Sequence, residues 1–290
     1  MRDRGAGRLT LIVLAALGLI TLGVGPAGAE KRLEKIRRTG VLTAGTRTAS
    51  IPFAYIDKDN RWKGFSIDLL GEIRARLERK LGKPIKLVKK EVTPKTRIAL
   101  VANNTVDLEC GSTTFNRRRD ETVDFSINFF FTGSQLLVKK GSGIRNLADV
   151  AGRRAGATQG TTNEKALRLK QPRAKIVVFQ DHAAGFLALE QGKVDTYVTD
   201  GILLAGLAKK SRNPDAYEVV GDLFSKDPYS CIVPENDSNW RDFVNHTLME
   251  LVDSGKFFKL YEKWFGPGGV VPYPMTDKVR TYLMMQSMPK

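Results

Sequence analysis

The segment Glu109–Asp120, ECGSTTFNRRRD, places three hydroxyl residues, Ser112, Thr113 and Thr114, shortly before Arg119. Val106 and Leu108 lead into it as a buried strand, and Arg119 opens a short helix. Hydroxyls and free backbone N–H groups at a strand end, facing an arginine fork, form a receptor for a carboxylate. The plainer reading is a solvated arginine cluster after a turn. Polar clusters recur in like positions. Gly45–Ser50 (GTRTAS), Thr158–Glu164 (TQGTTNE), Asp181 with His182, and Asp200 each follow a strand-like run. In open parallel sheets, ligands bind beyond the carboxyl ends of strands and near helix N-termini. Five such strand ends predict one polar cleft.

The elements that must position these residues alternate. Strands are expected at Val41–Gly45, Ile85–Val88, Val106–Gly111, Arg153–Ala157, Lys175–Phe179 and Val194–Thr199. Ser66 is placed to cap a helix carrying Ile67, Leu70, Ile73 and Leu77. Pro94 suits a helix start, with Ile98 and Val101 on its apolar face. Further helices are expected from Thr161, over Ala183–Glu190 and from Gly201. A small helix from Thr276, with Val279, Leu283 and Met284 on one face, is expected to pack on the first lobe within the tail Pro267–Lys290. Strand–helix alternation predicts an α/β fold with mostly parallel sheets flanked by helices. The pattern restarts after Leu136, which predicts two lobes. Segments near Phe131–Leu136 and Asp227–Cys231 would cross between them.

Arg2, Arg4 and Arg8 precede an apolar run from Leu9 to Val24, and a small-x-small site follows at Ala27–Ala29. This predicts a signal peptide over residues 1–29 and an exported chain of about 261 residues. The GVGPAG run at Gly23–Gly28 fits a dinucleotide pattern but lies inside that peptide without strand–turn–helix context, so it carries nothing. Of the net charge of +16, Arg2, Arg4, Arg8 and Asp3 contribute +2, leaving +14 on the exported chain. The cations are spread along helix faces, as at Arg74, Arg76, Arg79, Lys80, Lys209 and Lys210. With no basic run interleaved with aromatics, and with export, a nucleic-acid partner is not expected. Cys110 and Cys231 are the two cysteines of the chain. In an oxidising compartment they are a candidate disulfide, two buried thiols being the other possibility.

At this point the sequence resembles the periplasmic amino-acid-binding proteins of ABC importers (extracellular solute-binding proteins, family 3), and among them the glutamate/aspartate branch. The likeness runs through GTRTASIPFAY, TRIALVANNTVDLECGSTT, QGTTNE, DHAAGFLALEQGKVD and TDGILLAG. It implies a two-lobe periplasmic-binding-protein fold with two hinge strands. Lobe 1 would be residues 30–133 and 229–290, and lobe 2 residues 134–228. It implies an acidic amino-acid ligand, an inner-membrane permease partner, a monomer, a periplasmic location and no cofactor. Arg119 matches the fork on the ligand α-carboxylate, with Ser112 and Thr114 beside it. Thr162, at a helix N-terminus, matches a second-lobe donor to that carboxylate. Asp200 matches the partner of the α-ammonium. Arg47, Arg97 and His182 match the set around a side-chain carboxylate. Phe53 and Tyr55 match an apolar wall. Pro94 and Thr46 depart from the branch, where a serine and a histidine are expected.

Charge points the same way. The implied site offers three guanidinium groups and one carboxylate, with His182 near its titration range. One arginine and one aspartate suffice for the backbone groups of any amino acid. Arg47 and Arg97 would then be desolvated without an anion unless the ligand brings a second one. Plain alternatives exist: a solvated Arg97, and helix caps at His182 and Asp200. The rival class is an enzyme of the same fold, a cyclohexadienyl-dehydratase-like protein acting on a small carboxylated substrate. Its general acid would be Glu164. With two histidines and no H-E-x-x-H, G-x-S-x-G or C-x-x-C pattern, hydrolase chemistry has little to stand on.

Overall fold

Two five-stranded sheets organise the chain. The computed structural model describes residues 30–287; the expected signal peptide lies outside the described residues. The first sheet has the order Lys86–Glu91, Val41–Thr46, Leu108–Glu109, Asp227–Pro234 and Val123–Thr132. The first three strands are parallel and the last two join antiparallel. The second sheet has the order Lys175–Phe179, Arg154–Thr158, Thr196–Asp200, Ser134–Lys139 and Tyr217–Val220. Again three strands are parallel and two antiparallel. The antiparallel strands are the ones that carry the chain across. It leaves the first sheet at Gly133, between Val123–Thr132 and Ser134–Lys139, and returns between Val220 and Asp227. The crossings touch: a Cβ on Gly133 would lie 2.2 Å from the Ser225 carbonyl oxygen.

Helix Phe65–Leu81 shows why local pattern becomes structure here. Its buried residues Phe65, Leu69, Leu70, Ile73 and Leu77 fall on one face at helical spacing. Gly82, at φ 64, closes it in the left-handed conformation. Its start differs from expectation. Ser66 is not the cap but a buried residue of the first turn, and its hydroxyl has no hydrogen-bond partner. The start is set by Gly64, at φ 138, where a Cβ would lie 1.9 Å from the Phe53 carbonyl oxygen. Strand Leu108–Glu109 is shorter than the six residues expected. After Glu109 the chain leaves the ladder, and Cys110 is joined to Cys231 of the neighbouring strand region.

The first lobe is built round an aromatic core of Phe53, Phe65, Phe130, Tyr229 and Phe265. Phe53 and Phe130 meet edge to face at 4.9 Å. Burying each such side chain contributes about 1.5–3 kcal/mol. Two smaller clusters serve the second sheet. The tail helix, Asp277–Met285, is capped by Thr276 and buries Leu283 in the first-lobe core, while Met284 is exposed. Tyr282 packs edge to face on Phe131 at 5.0 Å. Among the described residues, no helix is long and apolar enough to cross a membrane.

Candidate functional site

The polar strand ends converge on one small cavity, lined from both lobes. Arg47, Arg97, Ser112 and Thr114 line it from the first lobe, and Thr162, His182 and Asp200 from the second. The lobes are in contact around it. Thr114 Oγ1 lies 3.3 Å from Thr162 Oγ1. Arg119 donates through Nη1 to the Thr114 carbonyl at 2.7 Å and through Nη2 to the Gly160 carbonyl at 3.1 Å, clasping one lobe to the other. A Cβ on Gly206 would lie 2.3 Å from the Ile51 carbonyl oxygen. Lys210 lies over the Tyr55 ring at 5.3 Å.

Arg47 follows strand Val41–Thr46 and is 3% exposed. Its Nε and Nη2 have no hydrogen-bond partner. Arg97 opens helix Arg97–Ala102 and is equally buried. It donates through Nη1 to the Ser112 carbonyl at 2.8 Å, and its Nε has no partner. Arg97 is therefore not a solvated helix residue. Buried donors of this kind are costly unless something accepts from them.

On the second lobe, Asp200 precedes helix Gly201–Lys210 but makes no capping bond. Its carboxylate accepts from Tyr229 Oη at 2.6 Å and Asn163 Nδ2 at 3.0 Å. Burial, with the charge of Asp227 nearby, pushes its pKa up to about 7. Thr161 caps helix Thr162–Lys170, accepting from the Glu164 N–H. His182 is the first residue of helix His182–Glu190, and the cap is Asp181. Its Nδ1 lies 2.8 Å from Tyr197 Oη.

Two expectations are corrected. His182 is not near its titration range: burial, with the charge of Arg47, lowers its pKa to about 3, so the ring is neutral at pH 7. Phe53 and Tyr55 do not line the cavity. Phe53 belongs to the aromatic core and touches Tyr229 at 5.3 Å, and Tyr55 packs on Trp264. Arg119 lines a wider opening beside the cavity, shared with Gly160 and Thr162. The expected shortage of negative charge is also smaller than the motifs imply. Glu109, wholly buried, has Oε1 3.8 Å from Arg47 Nη2 and accepts from the Thr113 hydroxyl. Burial raises its pKa, and Arg47 opposes that rise. Asp227 accepts from Thr114 at 2.9 Å and from Thr162 at 2.7 Å.

Glu109, Asn163, Asp227 and Tyr229 are the residues that motif reasoning passed over. Glu109 was visible inside ECGSTT, as a carboxylate within an apolar strand. Asp227 and Tyr229 carried no local signal beyond lying in a crossing segment. Glu164, the candidate general acid, pairs with Arg168 at 3.0 Å and does not line the cavity.

Two sheets linked by two crossings, with a buried polar cavity lined from both sides, define a two-lobe binding protein. The family is narrower: a model of bacterial extracellular solute-binding proteins, family 3, matches residues 42–267, and the chain belongs to that family. A glutamate/aspartate import solute-binding protein of Salmonella typhimurium is 35% identical over 262 residues, covering 88% of this chain and 86% of the relative. An L-glutamate/L-aspartate-binding protein of Pseudomonas aeruginosa is 36% identical, covering 86% of each. Among solved structures, an ancestral amino acid-binding protein described as a precursor of cyclohexadienyl dehydratase superposes with a TM-score of 0.73 at 30% identity, covering 80% of this chain and 99% of that one. The two curated relatives are binding proteins, and this chain is read as one rather than as an enzyme.

Proposed function

We propose that this protein is the exported substrate-binding component of an ABC amino-acid importer and that it takes glutamate or aspartate between its lobes. The observation that carries the reading is the pair of buried guanidinium groups, Arg47 and Arg97, with unpartnered N–H donors in a cavity that Asp200 also lines. Glu109 offsets part of the Arg47 charge, but at 3.8 Å it leaves those donors open to a second carboxylate. Arg119 takes the α-carboxylate at the rim, with the N-terminus of helix Thr162–Lys170. Asp200 takes the α-ammonium. The neutral His182 ring supplies one donor or acceptor to the side chain. The names of the two curated relatives suit the same ligands.

Residues 30–133 with 229–290 form one lobe and 134–228 the other, closing by rotation about the two crossings. Ligand contacts from both lobes favour the closed form by their differential affinity. A monomer in the periplasm, with a membrane permease reading the closed form, completes the proposal; no nucleic acid enters it. Charge-assisted hydrogen bonds contribute about 1.5–3 kcal/mol each. Two arginine forks and one aspartate, less the cost of desolvation and closure, suit micromolar binding, about −8 kcal/mol.

The test is a thermal-shift panel of the twenty amino acids and simple dicarboxylates. Ligand at a hundred times its dissociation constant adds about 2.7 kcal/mol of stability. Glutamate and aspartate should raise the melting midpoint well beyond the others. A shift with glutamine as large as that with glutamate overturns the acidic-ligand reading.

A further inference from the structure

We propose that Asp227 is a positioning residue for the ligand ammonium group: it accepts the hydroxyl protons of Thr114 and Thr162 and so fixes both threonines as acceptors towards the cavity. The proposal rests on the amino-acid reading above and assigns a role to a residue that does not itself line the cavity.

Asp227 is buried at the start of strand Asp227–Pro234, where the chain returns to the first lobe. One of its oxygens, Oδ1, accepts from a first-lobe hydroxyl, Thr114 at 2.9 Å, and from a second-lobe hydroxyl, Thr162 at 2.7 Å. The other, Oδ2, accepts from the Ser225 hydroxyl. A carboxylate oxygen only accepts, so the protons in these bonds belong to the threonines. A hydroxyl has a single proton. Once it is given to Asp227, each threonine oxygen has only lone pairs left for the cavity that both residues line.

This reverses the polarity expected for two of the motif residues. Thr114 and Thr162 cannot donate side-chain protons to a ligand carboxylate while Asp227 holds them. An anion placed on them would meet lone pairs, with the Asp227 charge behind. A cation placed there finds two acceptors, each polarised by the bond it makes to Asp227. Asp200 lines the same cavity and feels the charge of Asp227. The ammonium subsite is thus Asp200 with the two threonine oxygens. The α-carboxylate is left to Arg119 and to the backbone N–H groups at the start of helix Thr162–Lys170. Because the two threonines come from different lobes, the subsite is complete only when the lobes meet.

The experiment compares glutamate with glutarate, which lacks the ammonium, by calorimetry on the wild-type protein and on Asp227→Leu. Wild type should prefer glutamate by about tenfold or more, the worth of one charge-assisted hydrogen bond. Asp227→Leu offers the threonines no acceptor and should lose most of that preference, whereas Asp227→Asn, whose amide oxygen can still accept from both, should retain more of it. Equal loss of affinity for both ligands in Asp227→Leu, with the ratio unchanged, overturns the proposal and leaves Asp227 a purely structural role. If Asp227→Leu does not fold, Thr162→Val decides, since removing one acceptor should narrow the ratio and an unchanged ratio overturns the proposal. If wild type instead prefers glutamine, the acidic-ligand reading fails by itself. The same comparison then runs with glutamine against glutaramate and still decides the role of Asp227.

Discussion

At the scale of single residues, Asp200 has the most direct consequence for binding. Its carboxyl, with a pKa of about 7 before the ligand arrives, must be ionised to meet an ammonium. Binding below that pH therefore releases a proton. Affinity should rise as pH goes from about 5 to 8, by up to about tenfold per unit at the acid end. Asp200→Asn should bind weakly and show no such slope; calorimetry in buffers of different ionisation enthalpy measures both. For folding the sign is opposite. A carboxyl raised from 3.8 to about 7 favours the folded protonated form, so its stabilising share is lost as pH climbs through that window. His182 works the other way. Held near 3 against an ordinary 6.5, it disfavours the folded state as pH falls through that interval. Arg97→Ala removes the donor whose Nε has no internal partner. It should weaken glutamate far more than glutamine, and equal losses by calorimetry would remove Arg97 from the side-chain subsite.

Elements hold these residues through a few junctions. The Cys110–Cys231 bridge joins the strand end that delivers Ser112 to the strand that carries Asp227 and Tyr229, and closes a loop with a sequence separation of 121. Replacing both cysteines by serine should cost about 2–5 kcal/mol in chemical denaturation. A stability loss under 1 kcal/mol would mean that the strand pairing alone fixes the site loop. Thr161 is a second junction. Its hydroxyl accepts from the Glu164 N–H at 3.1 Å and donates to the Thr158 carbonyl at 2.7 Å, anchoring the helix whose first residue lines the cavity. Thr161→Ala should cost about 1 kcal/mol, read as a lower melting midpoint without ligand.

For the whole molecule, closure depends on how nearly the lobes can approach. Gly206, on the second-lobe helix Gly201–Lys210, leaves no room for a Cβ against the backbone of Ile51 in the first-lobe core. Gly206→Ala should hold the lobes apart in solution scattering and weaken ligand binding, while the lobes themselves remain folded. Unchanged affinity would show that this contact is not part of the ligand-bound form.

How far the sequence alone reaches follows from the range of each force. Periodic burial and helix ends are local. The helix face of Leu70, Ile73 and Leu77, the strand Lys175–Phe179 and the polar turns after Thr46 and Thr158 were therefore legible from neighbours in the chain. The order of the motifs also pointed to the family. What the tertiary structure decided was who faces whom. Asp227 meets Thr114 across a separation of 113 residues, and nothing near either residue announces it. Phe53 turned into the core because Phe65, Phe130 and Phe265 close round it from three distant elements. The charge on His182 and the proton on Asp200 depend on burial, which exists only once both lobes exclude water from the site. Hydrogen-bond direction and desolvation belong to the assembled molecule, whereas pattern belongs to the chain.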